Sequence, residues 1–212
     1  MRTLYARRLK RPLDLVLSGG GLLALSPLLA GAACAIKLES RGPVFFSQRR
    51  VGLGGKEFDV LKFRSMRSPE ESFHPDGSEM SNSERVTRVG RLLRRTSLDE
   101  IPQLFNVLRG EMSLIGPRPT LPYQVERYTE HQRGRLAVRP GLTGLAQVSG
   151  RNQLTWQQKI EYDLEYAENV SLLGDLRILL RTAGAVLDAE GQTFTAHDAL
   201  SDHGQTSYLK HI

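Results

Sequence analysis

Two adjacent carboxylates in Thr96-Ser97-Leu98-Asp99-Glu100-Ile101-Pro102 are the residues in this 212-residue chain best placed to do chemistry. Ser97-x-x-Glu100 has the form of a capping box, and acids are favoured in a first helical turn, so a purely structural reading stands beside a chemical one. A cap at Asp99 instead of Ser97 would leave the missing N–H of Pro102 harmless inside the first turn. Either register predicts both acids at a helix N-terminus, where backbone N–H groups stabilise phosphate oxygens. An aspartate beside a second acid able to hold Mg²⁺ is a workable nucleophile for phosphoryl transfer.

The cations nearby suit a phosphate substrate. Arg85, Arg88, Arg91, Arg94 and Arg95 recur at helical spacing, which serves a solvated face or an anionic-lipid contact equally well. In Gly116-Pro117-Arg118-Pro119 two prolines stiffen the backbone around one guanidinium and preorganise a bidentate contact; a rigid turn with an incidental arginine is the alternative. Arg139-Pro140-Gly141 and Ser149-Gly150-Arg151-Asn152 repeat the arrangement. Asp163 and Asp175 fall on predicted helices and read as ordinary helix-surface acids.

Other chemistries find no support. Gly54-Gly55-Lys56 lacks the Walker pattern, because position 50 is Arg and position 57 is Glu. Gly19-Gly20-Gly21 lies inside an apolar run rather than after a strand, and no Ser sits in a G-x-S-x-G setting. One cysteine, Cys34, and five scattered histidines exclude a disulfide framework and a Cys-based zinc site. Any metal chemistry is expected to be carboxylate and magnesium chemistry.

The elements that must position these residues begin with a membrane segment. Leu15 to Ile36 is 22 residues without a charge, long enough to cross a bilayer. Arg2, Arg7, Arg8, Lys10 and Arg11 put five positive charges and no acid in the first eleven residues, and Lys37 to Arg67 holds eight Lys/Arg against three Asp/Glu. A signal peptide shares the basic-then-apolar order, but this run is long for one. Basic flanks on both sides favour two cytoplasmic ends, which a segment that enters and turns back satisfies. Pro27 removes a helix donor and Ser26 is able to satisfy a freed carbonyl, so residues 13–36 are predicted to be a re-entrant helical hairpin after a basic surface segment, 1–12. A single pass with a proline kink remains the other reading.

Beyond residue 36 the composition is soluble. Val44-Phe45-Phe46 and Phe58 to Phe63 predict strands around Gly52-Leu53-Gly54-Gly55. Glu70 to Ser83 reads as a loop, and Ser83 to Arg95, Leu104 to Leu108, a Trp156/Ile160/Leu164 stripe and Leu172 to Leu187 read as helices. The expected fold is therefore α+β and mostly helical: the hairpin, then a small cytoplasmic α/β catalytic domain over 37–187 with interfacial amphipathic helices, then a polar tail, 188–212. A net charge of +6 also raises a membrane-anchored nucleic-acid-binding or regulatory module, but aromatics are only 7% and offer no stacking platform.

Taken together, Ser26-Pro27, Lys62-Phe63-Arg64-Ser65-Met66, Ser97-Leu98-Asp99-Glu100, Gln103-Leu104-Phe105-Asn106-Val107, Met112 to Pro119, Arg139 to Gly144 and Gly150-Arg151-Asn152 occur in an order that resembles the bacterial sugar transferases, monotopic polyprenyl-phosphate phosphoglycosyl transferases. The resemblance runs from about Arg8 to Leu187 and is to the small catalytic form. It implies transfer of a sugar-1-phosphate from a nucleoside diphosphate sugar, usually a UDP-sugar, to a polyprenyl phosphate, with release of UMP. It further implies that Asp99 carries the phosphosugar as a covalent intermediate and that Glu100 binds Mg²⁺. Lys62, Arg94, Arg118 and Arg151 would hold phosphate or nucleotide oxygens, and Asp163 and Asp175 match family acids of less defined role. The implied location is the cytoplasmic face of the bacterial inner membrane, with a homodimer allowed and no nucleic-acid partner.

Overall fold

A computed structural model describes residues 3–150 and 153–187. Arg151, Asn152 and the predicted tail, 188–212, lie outside the described residues.

The chain opens with a wide helical turn, Tyr5–Leu9, that runs into α1, Lys10–Glu39. Together they form a helix of 35 residues, apolar and long enough to cross a membrane. The predicted hairpin is not shown: Lys10–Glu39 is one helical element with Pro27 inside it, with no separate turn between two arms. Ser26 accounts for the tolerance. The N–H that Pro27 lacks would have served the carbonyl of Leu23, four residues back, and the Ser26 hydroxyl donates to that carbonyl at 2.8 Å. Arg11, Asp14, Ser18, Gly21, Leu25, Leu29, Ala32 and Ile36 form the shielded stripe of α1, while Val16, Leu23 and Leu38 on other faces are 71%, 77% and 89% exposed.

Both ends of this helix are fastened to the rest of the protein. Near its start, Lys10 Nζ lies 2.6 Å from Asp175, Arg11 donates to the carbonyls of Val107 and Leu108, and Asp14 accepts from Leu114 N–H at 3.1 Å. At its end, Ile36 is buried with Phe63 and Leu93. The Glu39 carboxylate accepts the N–H groups of Arg88 and Val89 at 2.6 and 2.8 Å.

The remaining chain builds a small α+β body. Strands β1, Phe45–Val51, and β2, Glu57–Phe63, form an antiparallel hairpin with Phe46 opposite Lys62. Helices α2, Asn82–Arg85, and α3, Arg88–Arg95, lead to a single 3-10 turn, Leu98–Glu100, and to α4, Gln103–Arg109. Strand β3, Ser113–Ile115, is followed by α5, Pro122–Glu126, and α6, Glu130–Arg133; it pairs in parallel with β4, Gly141–Thr143. Helices α7, Leu145–Ser149, α8, Trp156–Glu168, and α9, Leu172–Leu187, complete the described chain.

The core is divided among these contacts. Phe58 and Val60 of β2 pack on Val107 and Met112, and Val51 packs with Val125, Tyr128, Ile160 and Leu164. Ile160 and Leu164 of the stripe thus face protein, with Ile160 only 1% exposed, because β1 and α5 supply the apolar surface they need, while Trp156 at its start is exposed. On α9 the buried face carries Asp175 and Ile178, whereas Leu172, Leu173, Leu176 and Leu180 are exposed.

Candidate active site

Lys62 is placed by β2. On the hairpin it faces the same side as its strand neighbours at every second position, and the backbone around it is clamped by a fully buried asparagine on α4. Asn106 accepts from Leu61 N–H at 3.0 Å and donates to the Asp59 carbonyl at 2.7 Å. The Lys62 ammonium meets the Glu100 carboxylate at 2.7 Å.

The acid pair sits on the 3-10 turn rather than inside α4, and neither predicted cap forms. Ser97 is left-handed, with φ 57° and ψ 15°, and its side chain caps nothing; it is the single non-glycine residue with positive φ among the described residues. The helix begins only at Gln103, after Pro102, whose absent N–H makes it a good residue just outside a helix start. The left-handed residue turns the chain sharply before Asp99, a backbone state that costs free energy and that surrounding structure must hold.

Glu100 is flanked by cations. Arg118 reaches its Oε1 at 2.8 Å from Nη2 and its Oε2 at 3.4 Å from Nη1. Burial opposes its charge, but Arg118 and Lys62 outweigh that and hold this carboxyl well below the usual carboxylate range. Asp99 goes the other way. Burial, aided by the neighbouring Glu100 charge, pushes it up to about 6, against the pull of Lys62, Arg94 and Arg118. Two carboxylates side by side are thereby separated into one that is firmly ionised and one that titrates close to neutrality.

Arg94 arrives from the last turn of α3. Gly90, one turn earlier, lies so close to Ser65 that a side chain would strike its backbone, and Arg94 Nε donates to Ser65 Oγ at 2.7 Å. Arg118 arrives from the Gly116–Pro119 segment and is half exposed. Beneath it, Arg135 donates to the Arg118 carbonyl at 3.0 Å, to Tyr128 Oη at 2.6 Å and to Asp163.

The structure therefore brings Lys62, Arg94, Asp99, Glu100 and Arg118 together. It does not bring Asp163 or Asp175 to them, and neither is a surface acid. Asp163 is engaged by Arg135; burial pushes its carboxyl up to about 6 while Arg135 pulls it down. Asp175 is 2% exposed and accepts from Tyr5 and Lys10, both at 2.6 Å, with the Tyr166 hydroxyl 2.9 Å from its other oxygen. Arg139 also lies elsewhere, its Nε donating to the Gly110 carbonyl behind α4. Arg151 is outside the described residues. Ser65 and Asn106 lie within the motifs that carry the family resemblance but have no role of their own there, and Arg135 lies outside those motifs. A polar Asn106 amid the apolar run of α4 was the available signal, and for Arg135 there was none.

Among the described residues no three His, Cys, Asp or Glu side chains gather as a metal cage. What the arrangement offers is a partly protonated carboxylate, a second ionised carboxylate and three cations converging on one half-open place, which is equipment for stabilising a phosphorus centre under attack.

Comparison with known proteins places this geometry in context. Residues 5–189 match the family described as bacterial sugar transferase. The chain is 43% identical over 189 residues to EpsL of Bacillus subtilis, named an uncharacterized sugar transferase, covering 89% of this chain and 92% of that one. It is 47% identical over 191 residues to the UDP-glucose:undecaprenyl-phosphate glucose-1-phosphate transferase of Caulobacter vibrioides, covering 85% and 70%. It is 39% identical over 200 residues to the undecaprenyl-phosphate galactose phosphotransferase of Salmonella typhimurium, covering 88% of this chain and 42% of that longer protein.

Proposed function

Since the chain belongs to the bacterial sugar transferase family, we propose that it moves a sugar-1-phosphate from a UDP-sugar to undecaprenyl phosphate, with Asp99 as the group that carries the phosphosugar between them. It is an undecaprenyl-phosphate sugar-1-phosphate transferase, as its relatives are named. The observation that carries the assignment of Asp99 is its carboxyl at about 6 beside an ionised Glu100 and under Lys62, Arg94 and Arg118.

In the first step an ionised Asp99 oxygen attacks the sugar-bearing phosphorus. The bond from that phosphorus to the bridging oxygen breaks, and UMP departs with the electron pair. In the second step an oxygen of undecaprenyl phosphate attacks the same phosphorus, and the acyl-phosphate bond breaks to restore the Asp99 carboxylate. Arg94 and Arg118 hold phosphate oxygens during both displacements, and Lys62 holds Glu100 in place and offsets its charge beside the nucleophile.

Mg²⁺ fits this donor set. The Glu100 Oε1 is occupied by Lys62 and Arg118, but Oε2 has only a 3.4 Å approach from Arg118. One carboxylate oxygen plus substrate phosphates is a usual magnesium environment, so Glu100 is the proposed ligand. The ion would neutralise diphosphate charge.

For the membrane we propose a one-sided placement of α1. It is supported by one body holding Lys10 at one end and Glu39 at the other: the helix would sit in one leaflet with both ends on the cytoplasmic side of the inner membrane, and Pro27 is the residue assigned to keep it from running straight across. The exposed leucines of α9 lie in the same interface. A lipid-borne phosphate at headgroup level then meets Asp99 without leaving the bilayer.

The test is UMP release by nanodisc-held protein given undecaprenyl phosphate, Mg²⁺ and a panel of UDP-sugars. Release from one donor, lost in Asp99→Asn, is the expected result. Equal release by Asp99→Asn removes it as the nucleophile.

A further inference from the structure

Two arginines are buried among the described residues, Arg64 and Arg135, at 7% and 4% exposure. Arg64 serves the carbonyls of Ser40 and Arg41 where α1 ends. Arg135 serves the loop that bears a site cation. We propose that Arg135, held by Asp163 and Tyr128, is the positioning residue for the Arg118 guanidinium, and that Asp163 acts on the reaction through it rather than by touching substrate.

The backbone of Pro117-Arg118-Pro119 has little freedom. Proline fixes φ on either side of Arg118 and restricts the residue before it. What remains is rotation of the peptide planes, and each carbonyl in the stretch is held by a donor from outside it. Pro117 accepts from Gly141 N–H at 2.9 Å and Thr120 from Val51 N–H at 2.9 Å. Pro119 accepts from Arg50 at 3.3 Å. The Arg118 carbonyl itself accepts from Arg135 at 3.0 Å, so the backbone plane from which the guanidinium extends toward Glu100 is set by a buried charge.

A charged donor is well suited to this place. The planar fork of Arg135 serves three acceptors at once, and its ionic bonds are stronger than those of an amide. A buried guanidinium needs a counter-charge, which Asp163 supplies from α8 with its own side chain 4% exposed. Tyr128 contributes its hydroxyl at 2.6 Å and its ring face, 5.8 Å from the guanidinium carbon. Three side chains, Arg135, Asp163 and Tyr128, are thus tied to the carbonyl of one site residue.

This inference rests on Arg118 holding phosphate in the proposed reaction. Its test is a double-mutant cycle on the full chain in nanodiscs, reading UMP release from UDP-glucose and UDP-galactose. Arg135→Lys keeps the charge opposite Asp163 and loses the fork. It should lower kcat/KM by about tenfold in the wild-type background and by less than about twofold in Arg118→Lys, since a residue acting through Arg118 has nothing left to position. The same loss in both backgrounds, as general damage produces, overturns the proposal. If Arg135→Lys fails to fold, as judged by thermal melting, Tyr128→Phe is carried through the same cycle under the same criteria. The Arg118 Nε–H signal, followed by nitrogen-15 NMR in detergent, gives a readout that needs no turnover. Faster hydrogen exchange there in Arg135→Lys is expected, and unchanged exchange overturns the proposal even where a donor outside the two sugars tested leaves UMP release silent.

Discussion

Lys62 and Glu100 stand 38 positions apart in the chain, and their side chains meet at 2.7 Å, each about one-fifth exposed. The contact joins the edge of the β-hairpin to the turn that carries the acid pair. It gives Glu100 a partner independent of Arg118, so its charge is retained when either cation moves to a phosphate.

Replacing Lys62 by Met should therefore do more than remove a positive charge. Glu100 would be left to Arg118 alone, and that arginine would be withheld from substrate. A fall in kcat/KM of about 10²-fold is expected, the scale of losing one preorganised electrostatic contact. Steady-state assays of UMP release at saturating undecaprenyl phosphate measure it; a loss under about threefold would separate Lys62 from the reaction.

The acidic limb of activity should report Asp99. A carboxyl raised to about 6 is protonated below that pH and cannot attack, so kcat/KM should fall about tenfold per unit below pH 6 and level off above it. Arg94 is one of the cations opposing the rise. In Arg94→Gln the limb is expected at higher pH, and a limb that stays or moves down contradicts this electrostatic assignment.

Asn106→Ala should cost stability and activity together. Its amide bridges two backbone groups of β2 on either side of Val60 from a fully buried position. Leaving those groups unpaired costs about 2–4 kcal/mol. Chemical denaturation checks the first effect. For the second, Lys62→Met combined with Asn106→Ala should lose little beyond Lys62→Met.

Topology is testable at Pro27. In a Cys34→Ser background, Arg8→Cys and Arg41→Cys should both react with a membrane-impermeant reagent from the cytoplasmic side. Pro27→Leu restores the helix donor toward Leu23 and favours a straight span, so one of the two positions should move to the opposite side. Labelling of both from the cytoplasm in that variant would refute the role given to Pro27.

Much of this site was legible in the sequence, for specific reasons. Asp99 and Glu100 announce themselves because adjacent acids before a proline are a local pattern, and the helix start did fall where Pro102 does no harm. The cap itself was misread, since a left-handed Ser97 cannot be inferred from residue types that also favour capping. The β-hairpin and helices α4, α8 and α9 follow from period and turn residues, whereas the expected Ser83 to Arg95 helix is split at Val86 and Thr87, which caps α3, and the short α5, α6 and α7 carry no periodicity long enough to read. Asp163 and Asp175 were placed on helices correctly and in the wrong surroundings, because burial of an acid depends on whether a distant Arg135 or Lys10 reaches it. The apolar run and Ser26-Pro27 are equally legible, but a serine that repairs the bond a proline breaks lets one helix continue through a sequence that also suits a turn.

The fastening of α1 has a consequence for biosynthesis. Its partners lie far downstream: Val107 is 96 positions from Arg11, Leu114 is 100 from Asp14 and Asp175 is 165 from Lys10. The ribosome delivers this helix well before those partners, so it is exposed while Asp14 and Lys10 still have nothing to bind, and contacts of such long sequence separation close late. Nascent chains stalled before Asp175 should therefore hold the helix in a different arrangement from the finished protein, and α9, translated long after α1, becomes the clasp that commits the earlier helix to its place.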